Sequence, residues 1–187
     1  MSPPPRVLRW YFVHEFSRKS DDKDSAVGTP PLQNLHKPRL RRLERVFSDR
    51  PVYFVTACVE GRRAILANQR VFDAFQEFCL IGLERGYFVG RFVLMPDHFH
   101  LFIVVPREVP RALSDWTKAP KRSLTKILDE EGVPSPHWQR GFFDHVMRSG
   151  ESYSEKWGYV RNNPVRAGLV NEADAWPFQG EICELRF

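Results

Sequence analysis

Cysteine is scarce in this chain: Cys58, Cys79 and Cys183 are odd in number, scattered, and share no CxxC spacing. A disulfide framework is therefore excluded, and reduced, mostly buried thiols of a cytosolic protein are expected. Long apolar runs are missing too. None approaches the ~20 residues that a bilayer-spanning helix needs, so no membrane partner is expected. The segment Met1-Ser2-Pro3-Pro4-Pro5-Arg6 has no apolar core of the kind a signal peptide carries. Glycine is sparse at eleven residues and nowhere forms a phosphate-binding loop, so chemistry driven by ATP is not expected. Internal repeats are absent.

What is abundant is aromatic carbon and, locally, positive charge. Fifteen Phe and five Trp in 187 residues imply one well-packed domain with a tail. The net charge of +5 is unevenly spread: residues 1–50 hold eleven Lys/Arg against six Asp/Glu, whereas 51–187 hold seventeen of each. The surplus is densest at Lys37, Arg39, Arg41, Arg42 and Arg45. A basic stretch beside a neutral body suits a polyanion, with nucleic acid foremost; a solvated tail without a partner fits the same composition.

Residues 1–36 are rich in Pro, Ser and Asp without periodicity and read as a flexible arm, leaving 37–187 as the folded domain. Val52–Val59 is rich in β-branched and aromatic residues and predicts a strand, with a turn at Gly61-Arg62-Arg63. Amphipathic spacing predicts a helix over Gln69–Arg85, capped by Asn68 and stopped by Gly86. Strands Tyr87–Leu94 and His98–Val105, joined by Met95-Pro96-Asp97, predict an antiparallel hairpin. A second helical region spans Leu113–Glu131, with a kink or break expected at Pro120. Lys118, Arg122 and Lys126 repeat every four residues along one of its faces. His137–Met147 predicts a last strand with its approach. Ser152-Tyr153-Ser154-Glu155 has the form of a capping box opening a third helix, which Pro164 ends near Asn163. Strand, helix, hairpin, helix, strand, helix is the order of an α+β, ferredoxin-like fold: a four-stranded antiparallel sheet with packed helices.

Two histidines stand one residue apart in the second hairpin strand. Alternation sends His98 and His100 to one face, where two imidazoles can converge on a divalent metal with further ligands, or can be satisfied by hydrogen bonds in a packed setting. Tyr159 and Asn163 lie four apart in a helical segment and share a face. Taken alone, the tyrosine fits a packing role and the asparagine a helix end.

In combination these blocks resemble a known family, the REP-associated tyrosine transposases of the single-tyrosine HUH class. The resemblance is carried by Tyr53-Phe54-Val55-Thr56, by Val93-Leu94-Met95-Pro96-Asp97-His98-Phe99-His100-Leu101, by Trp138-Gln139-Arg140-Gly141-Phe142-Phe143-Asp144-His145, and by Tyr159-Val160-Arg161-Asn162-Asn163-Pro164-Val165-Arg166-Ala167-Gly168-Leu169-Val170. It covers roughly residues 40–180. It implies a metal-dependent endonuclease and strand transferase acting on single-stranded DNA hairpins, such as repetitive extragenic palindromes, through a 5′-phosphotyrosine. On this reading His98, His100 and Asn163 hold Mg2+ or Mn2+ and Tyr159 is the nucleophile, while Asp144 and His145 fit supporting groups or spare ligands and, equally, a packing or turn role. The basic residues at 37–45, together with Lys118, Arg122 and Lys126, are candidates for DNA contact, and exposed aromatics such as Trp10 or Trp138 for base stacking. A cytoplasmic, nucleoid-associated monomer or homodimer is implied. Tyr153 lies six residues from Tyr159 on another face, and the Asn-Pro context favours Tyr159 as the reactive residue. A DNA-binding regulator that keeps the fold without the reaction is the main alternative, ahead of a replication or conjugation initiator.

Overall fold

The computed structural model describes residues 46–47, 50–106 and 112–186. Trp10 and the basic residues Lys37, Arg39, Arg41, Arg42 and Arg45 lie outside them. The elements are β1 (Val46–Phe47), β2 (Val52–Cys58), α1 (Gln69–Leu83), β3 (Phe88–Met95), β4 (His98–Val104), α2 (Ala112–Glu130), β5 (Phe143–Met147), α3 (Gly150–Arg161), α4 (Asn163–Arg166), β6 (Gln179–Glu181) and β7 (Leu185–Arg186).

The main sheet is antiparallel with strand order β5-β2-β4-β3-β6, and β1 and β7 form a separate parallel pair. Its first four strands have the ferredoxin-like arrangement expected from the element order. The fifth is a departure. Trp176 Nε1 donates to Leu94 O at 2.9 Å and Leu94 N donates to Phe178 O at 2.8 Å. These bonds draw residues 179–181 into the sheet against β3, so the segment after the last expected helix contributes a strand.

Central β4 explains why both faces of the sheet are covered. Phe99, Leu101 and Ile103 are fully buried. Phe75 of α1 meets Phe92 and Phe99 at ring separations of 5.1 and 5.4 Å, and Trp116 of α2 meets Phe78 of α1 at 5.7 Å. Helices α1 and α2 therefore form one layer on the face carrying Phe99. Helix α3 packs on the opposite face, where Tyr153 lies 4.5 Å from Phe102. That second face carries His98 and His100.

Several expectations need adjusting. Asn68 caps α1 by accepting from Val71 N at 2.9 Å, and Gly86 adopts a φ of 80°, both as predicted. Helix α2 runs unbroken through Pro120, so packing on α1 outweighs the lost backbone bond. The last strand covers only Phe143–Met147; before it, Val59 bridges Trp138. The capping box lies one turn earlier than expected: Ser149 accepts from Ser152 N while Ser152 Oγ accepts from Ser149 N. Helix α3 ends at Arg161, and Asn163 opens α4 with Pro164 beside it.

Candidate active site

Met95 pairs with His98, which leaves Pro96 and Asp97 as a two-residue turn. The turn is pinned from below, since Ile65 N and Leu66 N donate to Pro96 O at 2.8 and 2.9 Å and Val59 N donates to Asp97 O at 2.9 Å. Beyond it, the register places Cys58 opposite His98, Thr56 opposite His100 and Phe54 opposite Phe102. Cross-strand partners share a face, so these six side chains form one patch.

Within the patch the two imidazoles meet at Nε2 to Nε2, 3.0 Å apart. Their outer nitrogens are held: His98 Nδ1 lies 2.6 Å from Asp97 Oδ1, and His100 Nδ1 lies 2.8 Å from Thr56 Oγ1. Arg62 Nε in turn holds the other Asp97 oxygen at 2.7 Å. Burial first of all lowers the His98 pKa, against the opposing pull of Asp97. His100 is held down to about 3 by burial, then by the charges of His98, Lys156, Arg62 and Arg166. Both rings are neutral at neutral pH, the state a ligand imidazole requires.

A chain of bonds satisfies neutral rings without a metal: Thr56 donates to His100 Nδ1, His100 Nε2–H donates to His98 Nε2, and His98 Nδ1–H donates to Asp97. Because a hydroxyl also accepts, Thr56 serves the other His100 tautomer equally well, which leaves a lone pair on Nε2 of both rings. Two donors at right angles on an octahedral ion, with bonds of about 2.1 Å, lie about 3 Å apart. The observed 3.0 Å separation fits such an ion, and Asp97 and Thr56 supply the supporting contacts that ligand histidines ordinarily have. No cluster of three or more His, Cys, Asp or Glu side chains suited to a metal occurs among the described residues, so further ligands would be an amide, water or a bound anion.

Tyr159 comes to this patch from α3. Lys156, one turn before it, has its ammonium 5.2 Å from the Phe54 ring and 5.9 Å from the Tyr159 ring. Phe54 stacks on His100 at 5.3 Å. The Arg166 guanidinium lies 3.8 Å from the centre of the Tyr159 ring and donates from Nη1 to Tyr159 O at 2.9 Å. Tyr159 is 61% exposed, and Lys156 and Phe54 stand between its ring and His100.

Asn163 behaves differently from the expectation of a shared helical face. The helix breaks after Arg161, Asn163 is 8% exposed, and its Oδ1 accepts from Arg166 Nη2. Arg166 thus links the amide to the tyrosine. Tyr153 is 5% exposed, packed on Phe102, with the Arg91 guanidinium 5.7 Å from its ring. The row Lys118, Arg122 and Lys126 lies on α2, in the helical layer across the sheet from the histidines, and Lys118 pairs with Asp115 at 3.0 Å. Asp144 and His145 are exposed on edge strand β5, with His145 opposite Phe54. Trp138 is engaged structurally, its Nε1 donating to Lys121 O at 2.9 Å and its ring set edge-on to Phe99.

Thr56, Lys156 and Arg166 were not singled out by sequence reasoning as members of this site. Lys156 had a local signal, since residues three apart on a helix are neighbours. Thr56 and Arg166 had none, because strand register and a helix break bring them in.

Fold and site together define an α+β protein of ferredoxin-like topology, with a histidine pair and an exposed tyrosine on one sheet face. No protein-family model matches the chain. Individual proteins do, and they bear out the resemblance to REP-associated tyrosine transposases. The chain is 24% identical over 126 residues to the REP-associated tyrosine transposase of Escherichia coli K12, covering 67% of this chain and 73% of that protein. It is 24% identical over 155 residues to a protein of Haemophilus influenzae Rd described as a REP-associated tyrosine transposase, covering 72% and 81%. Among solved structures, a REP-associated tyrosine transposase bound to a REP hairpin superposes with a TM-score of 0.57 at 23% identity, over 69% of this chain and 75% of the other. That likeness establishes the shared fold.

Proposed function

We propose that this protein is a transposase-like, DNA-processing enzyme that cuts and rejoins single-stranded DNA at hairpins, with Tyr159 as nucleophile. The observation that carries the proposal is the run of contacts that joins exposed Tyr159 to His100 through Lys156 and Phe54, with Arg166 against the same tyrosine ring. The names of similar proteins, one of them bound to a REP hairpin, favour the same class of partner.

His98 and His100 would hold the metal through Nε2, with Asn163 joining them if its amide is released by Arg166. The chemistry that a divalent ion such as Mg2+ or Mn2+ supplies there is polarisation of the scissile phosphate and neutralisation of charge on its oxygens. Arg166 and Lys156 place two cations against the Tyr159 ring, where they can draw in a phosphate. The Tyr159 oxygen then bonds to phosphorus, giving up its hydroxyl proton to water, as the bond from phosphorus to the 3′ oxygen breaks and the departing oxygen takes up a proton. The products are a 5′-phosphotyrosine and a 3′-OH. Phosphodiester energy is retained in the link, so a 3′-OH can reverse the step without an outside energy source.

The test is an adduct assay with labelled single-stranded hairpin DNA from the chromosome that encodes the protein, run with Mn2+ or with EDTA on a denaturing gel. A metal-dependent protein–DNA adduct is expected in the unsubstituted protein and none in Tyr159→Phe. Hairpin binding without any adduct would point to a DNA-binding regulator, and an adduct persisting in Tyr159→Phe would remove Tyr159 as nucleophile.

A further inference from the structure

We infer that Phe143 is a stacking platform for an unpaired DNA base next to the scissile phosphate; this rests on the functional reading above and deepens it. In the register of the sheet, Thr56 pairs with His100 on one side and with Phe143 on the other. His100, Thr56 and Phe143 thus form a row across three adjacent strands, all pointing to the face that carries Tyr159. Strands are spaced ~4.8 Å apart, so Phe143 lies about 10 Å from His100. A base on a nucleotide next to a phosphate held at the histidines can reach it.

Phe143 is 60% exposed, although a phenylalanine ring gains most by burial. Among the described residues no strand covers the outer side of β5, so the ring is presented at an open edge. Its position is nonetheless fixed. Gln139 N donates to Cys58 O at 3.0 Å, and Lys121 Nζ donates to Gln139 O and Gly141 O, which ties the approach to β5 against β2 and α2. A rigid aromatic loses little entropy when a base stacks on it, and stacking tolerates any base because each has a π face. The cations Lys156, Arg166 and Arg62, all close enough to act on His100, make the same face attractive to the phosphate backbone of that strand. An unpaired nucleotide supplies both the flat apolar surface and the negative charge this arrangement favours.

The experiment measures fluorescence anisotropy in a Tyr159→Phe background, so that covalent capture does not intervene. Two probes share one stem–loop taken from the host chromosome: one is blunt, the other carries a short unpaired thymidine flank. Phe143→Ala and Phe143→Leu are expected to weaken binding of the flanked probe by about tenfold or more, while Phe143→Trp restores it. Blunt-probe affinity should stay the same in all three. Equal binding of the flanked probe by the Ala and Trp variants would overturn the inference. So would parallel losses on both probes, which indicate a structural role, or full binding of the flanked probe by the Leu variant, which indicates simple apolar cover. A shift from dimer to monomer in Phe143→Ala without a change in affinity would assign the ring to a second copy of the chain and also overturn it. If the Tyr159→Phe protein binds neither probe, the hairpin reading fails, and the stacking site with it.

Discussion

Tyr159 and Tyr153 share helix α3 but have opposite surroundings, and their substitutions should separate cleanly. Tyr153 fills space against Phe102 under Arg91. Tyr153→Ala should cost about 3 kcal/mol, read as a lowered urea midpoint, whereas Tyr153→Phe should keep the DNA adduct. Sequence spacing placed the two tyrosines on different faces but left open which face was core; packing of α3 on β4 settles that. Arg166 belongs with Tyr159. Arg166→Ala should slow adduct formation about tenfold at saturating DNA, with a smaller change in hairpin affinity, because it removes a cation from the ring rather than a contact with the stem. Equal losses in rate and affinity would make Arg166 a DNA-binding residue instead. Sequence alone put Arg166 inside a motif and gave it no task, since its contact with residue 159 depends on the break between α3 and α4.

Helix α3 delivers the tyrosine, and its start is set by Ser149 and Ser152. Ser149→Ala should cost about 1 kcal/mol of stability, measured by thermal or urea unfolding, since one orphan N–H of the first turn loses its acceptor. Ser152-x-x-Glu155 matches the capping pattern better in sequence, since it carries Glu at the third position where Ser149 has Ser152. The choice between the two falls to Ser149, whose backbone is extended where β5 ends, so tertiary placement outranks the motif. Strand β3 is another element whose detail was not legible. A register shift between Val89 and Phe92 makes a bulge at Gly90, where an added Cβ would stand 2.7 Å from Leu185 Cδ1 and 3.2 Å from Tyr153 Oη. Gly90→Ala should therefore destabilise by about 2 kcal/mol, because β7 and α3 both approach that backbone. Reading β3 as a plain alternating strand misses this, since the partners that require the glycine lie far off in sequence.

Global stability should report both the proposed metal site and the buried acids. A metal that binds only the folded chain stabilises by about 3 kcal/mol at a hundredfold excess over its dissociation constant. Mn2+ should accordingly raise the unfolding midpoint, and His100→Ala should abolish the shift; an unchanged shift in that variant would place the ion elsewhere. At high pH the protein should weaken. Burial, the first cause in each case, raises Tyr153 from 10.0 to about 12 and Cys183 from 9.0 to about 12. The unfolded chain then binds fewer protons from about pH 9 to 12, so stability is fully present below that window and falls through it; urea midpoints measured across the window check the sign. Local chain chemistry sets the placing of His98 and His100 on one face, the Asn68 cap, the Gly86 stop and the order of the first four strands of the main sheet and their helices. Each of these follows from backbone geometry acting over a few residues. Long-range packing is what brings Thr56 and Phe143 into register with His100, sets Arg166 over Tyr159 and adds a fifth strand from residues 179–181. Those neighbours are selected by burial and hydrogen bonding between segments far apart in the chain, an energy that no local period encodes.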